Sequence, residues 1–354
     1  MVKPLKVVVV DDSSFNRETI VQTLNSHPDF EVIGTAADGE VGLKLAMTLD
    51  PDLVTLDLEM PRMDGFTFLR VIMEQKPMPI LVVSAHSRAQ DVFNALELGA
   101  YDFVAKSKHF FPGEISEHLR NEILRKARVA RQIKLASTNE EDTRNIEKLA
   151  EVPGGVVRRV ACIGASTGGP RALRHILGML PGGGGTAYLV AQHMPATFTG
   201  AFAERLDRAL SPKVLLATNN IEVSPGHIYI CPGAHNMELK SYQGGWRLRV
   251  WQAEYMETSP SVDTLFQSVA RDYDGSVLGI LLTGMGSDGG RGMQSLVEAG
   301  GHTVAESAET AAVFGMPKEA IERGAAKEVL ALDEIGTRLC QFARGEGVRS
   351  GQQS

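Results

Sequence analysis

Three polar side chains follow three apolar segments of this sequence, and their types match a nucleophile, a base and an orienting acid. Ser166 follows RRVACIGA, His193 follows TAYLVAQ, and Asp288 lies after SVLGILL in a glycine-rich turn. A serine hydroxyl becomes an effective nucleophile when an imidazole removes its proton and a carboxylate fixes that imidazole. We therefore expect acyl-transfer chemistry, in which Ser166 attacks, His193 relays the proton and Asp288 orients the ring. The backbone amide of Met285 is a candidate donor to the oxyanion.

The residues around Ser166 are those of a tight strand-to-helix turn. Residues 164–168, GASTG, fit the pattern G-x-S-x-G, in which glycines leave a nucleophilic hydroxyl uncrowded. The chain order Ser, His, Asp differs from the order Ser, Asp, His of the α/β-hydrolases, so we expect another fold. Each residue also has a simpler interpretation when taken alone. Ser166 would then be a helix N-cap, and His193 a core or surface residue.

A dinucleotide site is the competing interpretation of the glycine-rich turn. Gly284, Gly286 and Gly289 fit G-x-G-x-x-G, and Glu306 follows at the ~20-residue distance of a ribose-binding acid. This interpretation places the carboxylate of Asp288 inside a phosphate cradle, and it uses neither the serine nor the histidine. We therefore favour a hydrolase.

A second polar set lies at the ends of four apolar segments in the first part of the chain. It consists of Asp11, Asp12, Asp57, Ser84 and Lys106. Three neighbouring carboxylates repel one another unless a cation lies among them, and hard oxygen ligands suit Mg²⁺. A carboxylate nucleophile, a metal and a lysine together suit phosphoryl transfer. Helix capping is the alternative for any one of these acids.

The elements that must position these residues fall into two halves. Residues 5–106 alternate apolar runs with amphipathic stretches, which predicts a doubly wound parallel sheet. A second alternation follows a charged, Pro-Gly-containing joint. We expect a first domain, a linker, a second α/β domain and a disordered tail, over residues 1–125, 126–156, 157–345 and 346–354. In such sheets, functional groups gather at the carboxyl ends of the strands.

Bulk properties narrow the functional classes. A net charge of −7 over 354 residues argues against a general nucleic-acid binder. No apolar stretch reaches the ~20 residues that cross a bilayer, so we expect no direct membrane insertion. Three widely spaced cysteines indicate neither a disulfide framework nor a metal site. We expect a cytoplasmic monomer.

The first half resembles a response-regulator receiver domain, with a flavodoxin-like fold around a five-stranded parallel sheet. The segments VVVVDDSSFNR, LVTLDLEMPRMDGF, VVSAHS and GAYDFVAKS carry the resemblance over about residues 1–125. It implies that Asp57 accepts a phosphoryl group from a sensor histidine kinase and that a switch responds. The implied Mg²⁺ ligands are Asp11, Asp12, Asp57 and the carbonyl of Glu59, and the implied switch residues are Ser84, Phe103 and Lys106. Ser107 stands where the family usually has proline.

The second half resembles the catalytic domain of chemotaxis protein-glutamate methylesterases, a Rossmann-like α/β domain. The segments are IGASTGGP, AQHMPATFTGAFAERL, SPGHIYICPG, PSVDTLFQSVA, ILLTGMGSDGG and VFGMPKEAI. The resemblance implies the triad Ser166, His193 and Asp288, with Met285 in the oxyanion hole. It also implies activation by phosphorylation, with demethylation and deamidation of methyl-accepting chemotaxis receptors. A receiver joined to a catalytically silent binding module is the alternative from a different class.

Overall fold

The structure is a computed structural model, and it describes residues 3–85, 89–106, 115–133, 149–150, 155–254 and 259–346. Ser107 and residues 347–354 lie outside the described residues. The chain divides into two compact units, residues 1–138 and 139–354. Among the described residues, no helix is long and apolar enough to cross a membrane.

The first unit alternates strands and helices. In chain order its elements are β1 (Leu5–Val10), α1 (Ser14–Asn25), β2 (Phe30–Ala36), α2 (Gly39–Leu49), β3 (Leu53–Leu56), α3 (Gly65–Gln75), β4 (Ile80–Ala85), α4 (Ala89–Glu97), β5 (Asp102–Lys106) and α5 (Glu117–Val129). The five strands are parallel in the order β2-β1-β3-β4-β5. This is the flavodoxin-like order, and it confirms the expected five-stranded sheet.

The sequence of the central strands explains why they lie inside. Val7 to Val10 of β1 are at most 1% exposed, and Leu53 to Leu56 of β3 are equally buried. Continuous runs of β-branched and aliphatic residues suit strands of a parallel sheet that is covered on both faces. Helix α5 continues through Val129, four residues beyond the expected end of the first domain. The domain boundaries at 125 and 157 stay predictions.

The second unit contains a larger parallel sheet and a small antiparallel one. Its elements are β6 (Arg159–Ala165), α6 (Gly169–Gly178), β7 (Thr186–Gln192), α7 (Ala196–Ala209), β8 (Lys213–Leu216), β9 (Ile221–Glu222), β10 (His227–Ile230), β11 (His235–Tyr242), β12 (Gly245–Gln252), α8 (Val262–Asp272), β13 (Ser276–Leu281), α9 (Gly290–Glu298), β14 (His302–Glu306), α10 (Met316–Glu322), β15 (Glu328–Leu330) and α11 (Leu332–Arg344). Seven strands form the main sheet in the order β15-β14-β13-β6-β7-β10-β8. This parallel arrangement confirms the expected Rossmann-like α/β class.

The main sheet reverses its direction of winding between β6 and β13. From β6 the chain proceeds to β7 on one side, whereas β13, β14 and β15 lie on the other. In open α/β sheets, ligands bind at such a switch point, outside the carboxyl ends of the strands. The segments that precede Ser166, His193 and Asp288 are the three adjacent strands β6, β7 and β13.

The antiparallel sheet β11-β12-β9 was not expected from the sequence. Gln243 and Gly244 connect β11 to β12 and both have positive φ, 47° and 79°, as tight hairpin turns of this hand require. Met237 and Leu239 of β11 are buried, and the Leu239 amide donates to Ser268 Oγ of α8 at 3.0 Å. The small sheet therefore supports the helix whose first turn reaches the candidate site.

Candidate active site and acidic cluster

Ser166 is the first residue after β6 and is held by the segment that follows the neighbouring strand β13. Its amide donates to the Thr283 carbonyl at 3.0 Å, and the residue is only 3% exposed. The N-cap of α6 is Gly168, with φ 79°, and no side chain caps this helix. The interpretation of Ser166 as a helix cap is therefore wrong. Glycine at 168 allows the chain to turn sharply beneath the serine.

His193 follows β7, which pairs directly with β6. The His193 amide donates to the Ala165 carbonyl at 2.9 Å, so the sheet pairing continues to the residue beside Ser166. Its ring Nε2 lies 2.8 Å from Oδ2 of Asp288. The sheet thus brings the serine and the histidine to adjacent strand ends, and the ring is joined to the acid.

Asp288 also accepts hydrogen bonds from the first turn of α8. The Val262 amide donates to Oδ2 at 2.7 Å, the Asp263 amide to Oδ1 at 2.9 Å, and the Ser261 hydroxyl to Oδ1 at 3.3 Å. Burial would raise the pKa of Asp288, but the hydrogen bond and charge of His193, with these backbone amides, lower it below its usual value. The acid is therefore ionised and fixed in orientation near neutral pH.

The pairing of His193 with Asp288 sets the proton positions on the ring. A carboxylate only accepts, so in the neutral ring Nε2 carries the hydrogen and Nδ1 presents a lone pair, the form of a general base. Among the described residues, no hydrogen bond joins the Ser166 hydroxyl to the His193 ring. Such bonds are often long without substrate and tighten in the complex. The arrangement suits proton abstraction at Nδ1.

The glycine-rich turn approaches Ser166 closely. A Cβ on Gly284 would lie 2.8 Å from Ser166 Cβ, which leaves no room for a side chain there. Gly286 and Gly289 have φ values of 95° and 94°, a region that favours glycine. The partly exposed Met285 donates its backbone N–H to no acceptor within the described part of the chain. This amide is therefore available to an oxyanion, the role predicted for it.

Glu306 cannot serve as the ribose-binding acid of a dinucleotide site. It is fully buried, and its Oε2 accepts the Thr283 amide at 2.7 Å. Burial raises the pKa of Glu306 to about 7. The glycines at 284, 286 and 289 serve the turn beside Ser166, so the geometry favours the hydrolase over the dinucleotide site.

Two supporting residues were not identified from the sequence. Asp263 of α8 accepts the amides of Gly289 and Gly292 at 2.9 and 2.7 Å, which holds the start of α9. Asp288, just before α9, holds the start of α8 in return. Gln192 donates from Nε2 to the carbonyls of Ser166 and His193. An acid in the first turn of a helix is only a weak signal for the role of Asp263. The segment TAYLVAQ contains no signal for the role of Gln192.

The first unit gathers its polar residues at the ends of β1, β3 and β5. Lys106 Nζ lies 2.8 Å from Asp11 Oδ2 and also contacts Asp57 Oδ2. All three of these residues are at most 6% exposed, whereas Asp12 is exposed. Ser13, not Asp12, caps α1 by accepting the Asn16 amide at 3.3 Å. Capping therefore does not explain the acidic cluster.

The acidic cluster has the donor set of a divalent cation site. One carboxylate oxygen from each of Asp11, Asp12 and Asp57 lies within 4.8 Å of the others. Burial raises the pKa of Asp11 to about 6, although Lys106 opposes this increase. A nearby cation would stabilise the charged form of this buried carboxylate, and oxygen ligands suit Mg²⁺. The residues present therefore fit the expected metal.

The remaining predicted residues of the first unit lie around this cluster. Ser84 is buried on β4, whose partner β3 precedes Asp57. Phe103 is buried on β5, with Lys126 Nζ 4.9 Å from its ring centre. Glu59 lies in the loop two residues after Asp57 and is exposed. The switch and ligand roles assigned to these residues stay predictions.

A flavodoxin-like unit with an acidic cluster, followed by an α/β unit with a Ser-His-Asp set, has the organisation of a response regulator with an enzymatic output domain. Residues 7–120 match the family described as response regulator receiver domain. Residues 161–339 match the family described as CheB methylesterase. The chain belongs to the CheB methylesterase family and carries a receiver domain, and it is a hydrolase of that family.

Named relatives resemble the chain over nearly its whole length. It is 45% identical to the protein-glutamate methylesterase/protein-glutamine glutaminase 6 of Anaeromyxobacter dehalogenans, over 97% of each chain. It is 44% identical to the corresponding enzyme 1 of Myxococcus xanthus, over 96% of this chain and 97% of the relative. The crystal structure of the Thermotoga maritima CheB methylesterase catalytic domain is similar, with a TM-score of 0.50 and 38% identity. That match covers 52% of this chain and 97% of the other.

Proposed function

We propose that this chain removes methyl groups from glutamyl γ-methyl esters of methyl-accepting chemotaxis receptors and deamidates particular glutamines there. The observation that carries the proposal is the location of His193, which Asp288 holds at the strand end adjacent to Ser166. The names of the full-length relatives support this substrate class. Both reactions are acyl transfers from the same kind of side chain, so one site serves both.

Each residue of the candidate triad has one task. His193 Nδ1 takes the hydroxyl proton as Ser166 Oγ bonds to the γ-carbonyl carbon, and the Met285 amide donates to the resulting oxyanion. The C–OCH₃ bond then breaks, and methanol leaves with the proton from His193. Water, deprotonated by the same ring, hydrolyses the acyl-serine to glutamate and free Ser166. A glutamine substrate follows the same course with ammonia as the leaving group.

The receiver domain supplies the control in this proposal. Asp57 accepts a phosphoryl group from a sensor histidine kinase, and Asp11, Asp12 and Asp57 with the Glu59 carbonyl would hold Mg²⁺. When bound, the metal would offset charge on the transferring oxygens. Lys106 already contacts Asp57, so a phosphoryl group changes the partners of this lysine. Ser84 and Phe103 respond as the switch, and phosphorylation increases esterase activity.

Methanol release from methylated receptors tests both parts of the proposal. Native chain should release methanol, whereas Ser166→Ala should lower kcat by about 10⁴-fold or more, because the nucleophile is lost. A small-molecule phosphodonor with Mg²⁺ should increase the native rate and leave the rate of Asp57→Asn unchanged. Full activity of Ser166→Ala would contradict the serine mechanism. An equal change in rate with the phosphodonor in the native chain and in Asp57→Asn would contradict activation through Asp57.

A further inference from the structure

Gln192 connects the backbones of the candidate nucleophile and base. It is the last residue of β7 and is 1% exposed. Its Nε2 donates to the Ser166 carbonyl at 2.9 Å and to the His193 carbonyl at 2.9 Å. A primary amide has two N–H groups, and here each has one acceptor. A single side chain thus joins the two residues that must exchange a proton.

The surroundings of Gln192 fix the direction of its amide. The opposite orientation would place Oε1 against two carbonyl oxygens, which is unfavourable. Oε1 is buried and has no hydrogen-bond partner among the described residues. A Cβ on Gly169 would lie only 2.0 Å from this oxygen. An unpaired buried oxygen costs free energy, and the two donated bonds offset that cost.

We propose that Gln192 is a positioning residue of the esterase site and sets the separation between Ser166 and His193. This inference rests on the proposed function. Gln192 acts through the two carbonyls rather than on the substrate. Proton transfer requires the reacting atoms to lie about 3 Å apart, and a small displacement reduces the rate steeply. Loss of the two bonds should therefore lower kcat and leave KM nearly unchanged.

Gln192→Glu gives a pH profile that a merely structural role would not produce. The carboxylate has no hydrogen to donate and faces two carbonyl oxygens, so burial should raise its pKa. The protonated form regains one O–H donor. We expect a kcat deficit of about 100-fold at pH 8 relative to the native chain. The deficit should shrink by about tenfold or more at pH 6.

Two further variants complete the test. Gln192→Met has similar length without donors, and its deficit should be about 100-fold at every pH. Gln267→Glu adds the same charge on the exposed side of α8 and should retain native kcat. A folded Gln192→Glu with a pH-independent deficit would overturn the proposal. A native kcat in Gln192→Met would also overturn the proposal. If the Gln192→Glu variant does not fold, the kcat of Gln192→Met is the deciding measurement.

A parallel readout separates this inference from the proposed function. The rate at which a fluorophosphonate labels Ser166 depends on the same approach of His193, but it requires no receptor. If the native chain releases no methanol, the proposed function fails and labelling still measures the effect of Gln192. If methanol is released and labelling is equally fast in the native chain and in Gln192→Met, only the inference about Gln192 fails.

Discussion

Replacement of Asp288 by asparagine should change the hydrogen position on the His193 ring. In the native site, Oδ2 of Asp288 accepts both from His193 Nε2 at 2.8 Å and from the Val262 amide at 2.7 Å. An asparagine offers one oxygen and one NH₂ group. With its oxygen at the Oδ1 position, where the Asp263 amide and the Ser261 hydroxyl donate, its NH₂ group faces the ring and donates to Nε2. The Val262 amide then loses its acceptor. The hydrogen then moves to Nδ1, where it blocks proton abstraction from Ser166.

The expected loss in rate is large because the wrong tautomer lacks the base. In a serine protease triad, the same exchange lowers kcat by about 10⁴-fold, which corresponds to ~5.5 kcal/mol in activation free energy. We expect a decrease of about 10³- to 10⁴-fold in methanol release from methylated receptors. The free energy of unfolding should fall by about 1.5–3 kcal/mol, since charge-assisted hydrogen bonds to the first turn of α8 weaken.

Ser261→Ala is the matched control for the effect on helix α8. The Ser261 hydroxyl caps this helix by accepting the Thr264 amide at 3.2 Å. Its removal should cost about 1 kcal/mol of stability without altering the tautomer of His193. We expect less than about a tenfold change in kcat, equivalent to 1.4 kcal/mol. A kcat within tenfold of native in Asp288→Asn, or an equally large loss in Ser261→Ala, would refute the tautomer argument.

Three further predictions concern buried carboxylates. Because burial raises the pKa of Asp11 to about 6, protons should compete with Mg²⁺ for this carboxylate below pH 6. The Mg²⁺ affinity measured by calorimetry should then fall by up to about tenfold per pH unit. Equal Mg²⁺ affinity at pH 5 and pH 7.5 would contradict this prediction. Burial raises the pKa of Glu306 to about 7, so the folded state binds the proton more tightly and loses stability as pH rises from 4.5 to about 7. The free energy of unfolding of Glu306→Gln should therefore match that of the native chain at pH 4.5 and exceed it by up to about 3 kcal/mol at pH 8. If both free energies of unfolding change with pH in parallel, the raised pKa of Glu306 is excluded. Asp263→Asn should lower both kcat and stability, because its NH₂ group replaces one carboxylate oxygen and cannot accept. Either the Gly289 and Gly292 amides or the Arg291 side chain then loses its acceptor, and unchanged thermal unfolding would argue against this role.

The strand ends were the most predictable part of this molecule. Apolar runs mark the strands, and the first polar residues after them, such as Asp57, Ser166 and His193, lie where parallel sheets gather function. Asp288 was also predicted, because glycines 284, 286 and 289 mark a turn directly after a strand. The placement of these residues depends on the local sequence and on the direction of the strands. Both can be inferred from the alternation of apolar and amphipathic segments.

The supporting contacts were less predictable because they join residues that are distant in sequence. Asp263 holds the start of a helix 26 residues further along the chain. Gln192 is the last residue of an apolar strand. The sequence there does not indicate which carbonyls its side chain will bind. Glu306 followed the glycine-rich turn at the spacing of a ribose-binding acid, but tertiary packing turned it inward onto Thr283. Such contacts depend on which faces of the elements meet, and no local pattern specifies this.

Mass spectrometry of the fluorophosphonate-treated chain shows whether Ser166 is a nucleophile that His193 activates. The tryptic peptide 160–171, VACIGASTGGPR, contains a single serine, Ser166. We predict that the native chain gains one phosphonyl group on this peptide, and that His193→Ala reacts about 10³-fold more slowly or not at all because the base is missing. No modification of the native, folded chain, or equally fast modification of His193→Ala, would exclude a serine nucleophile activated by His193.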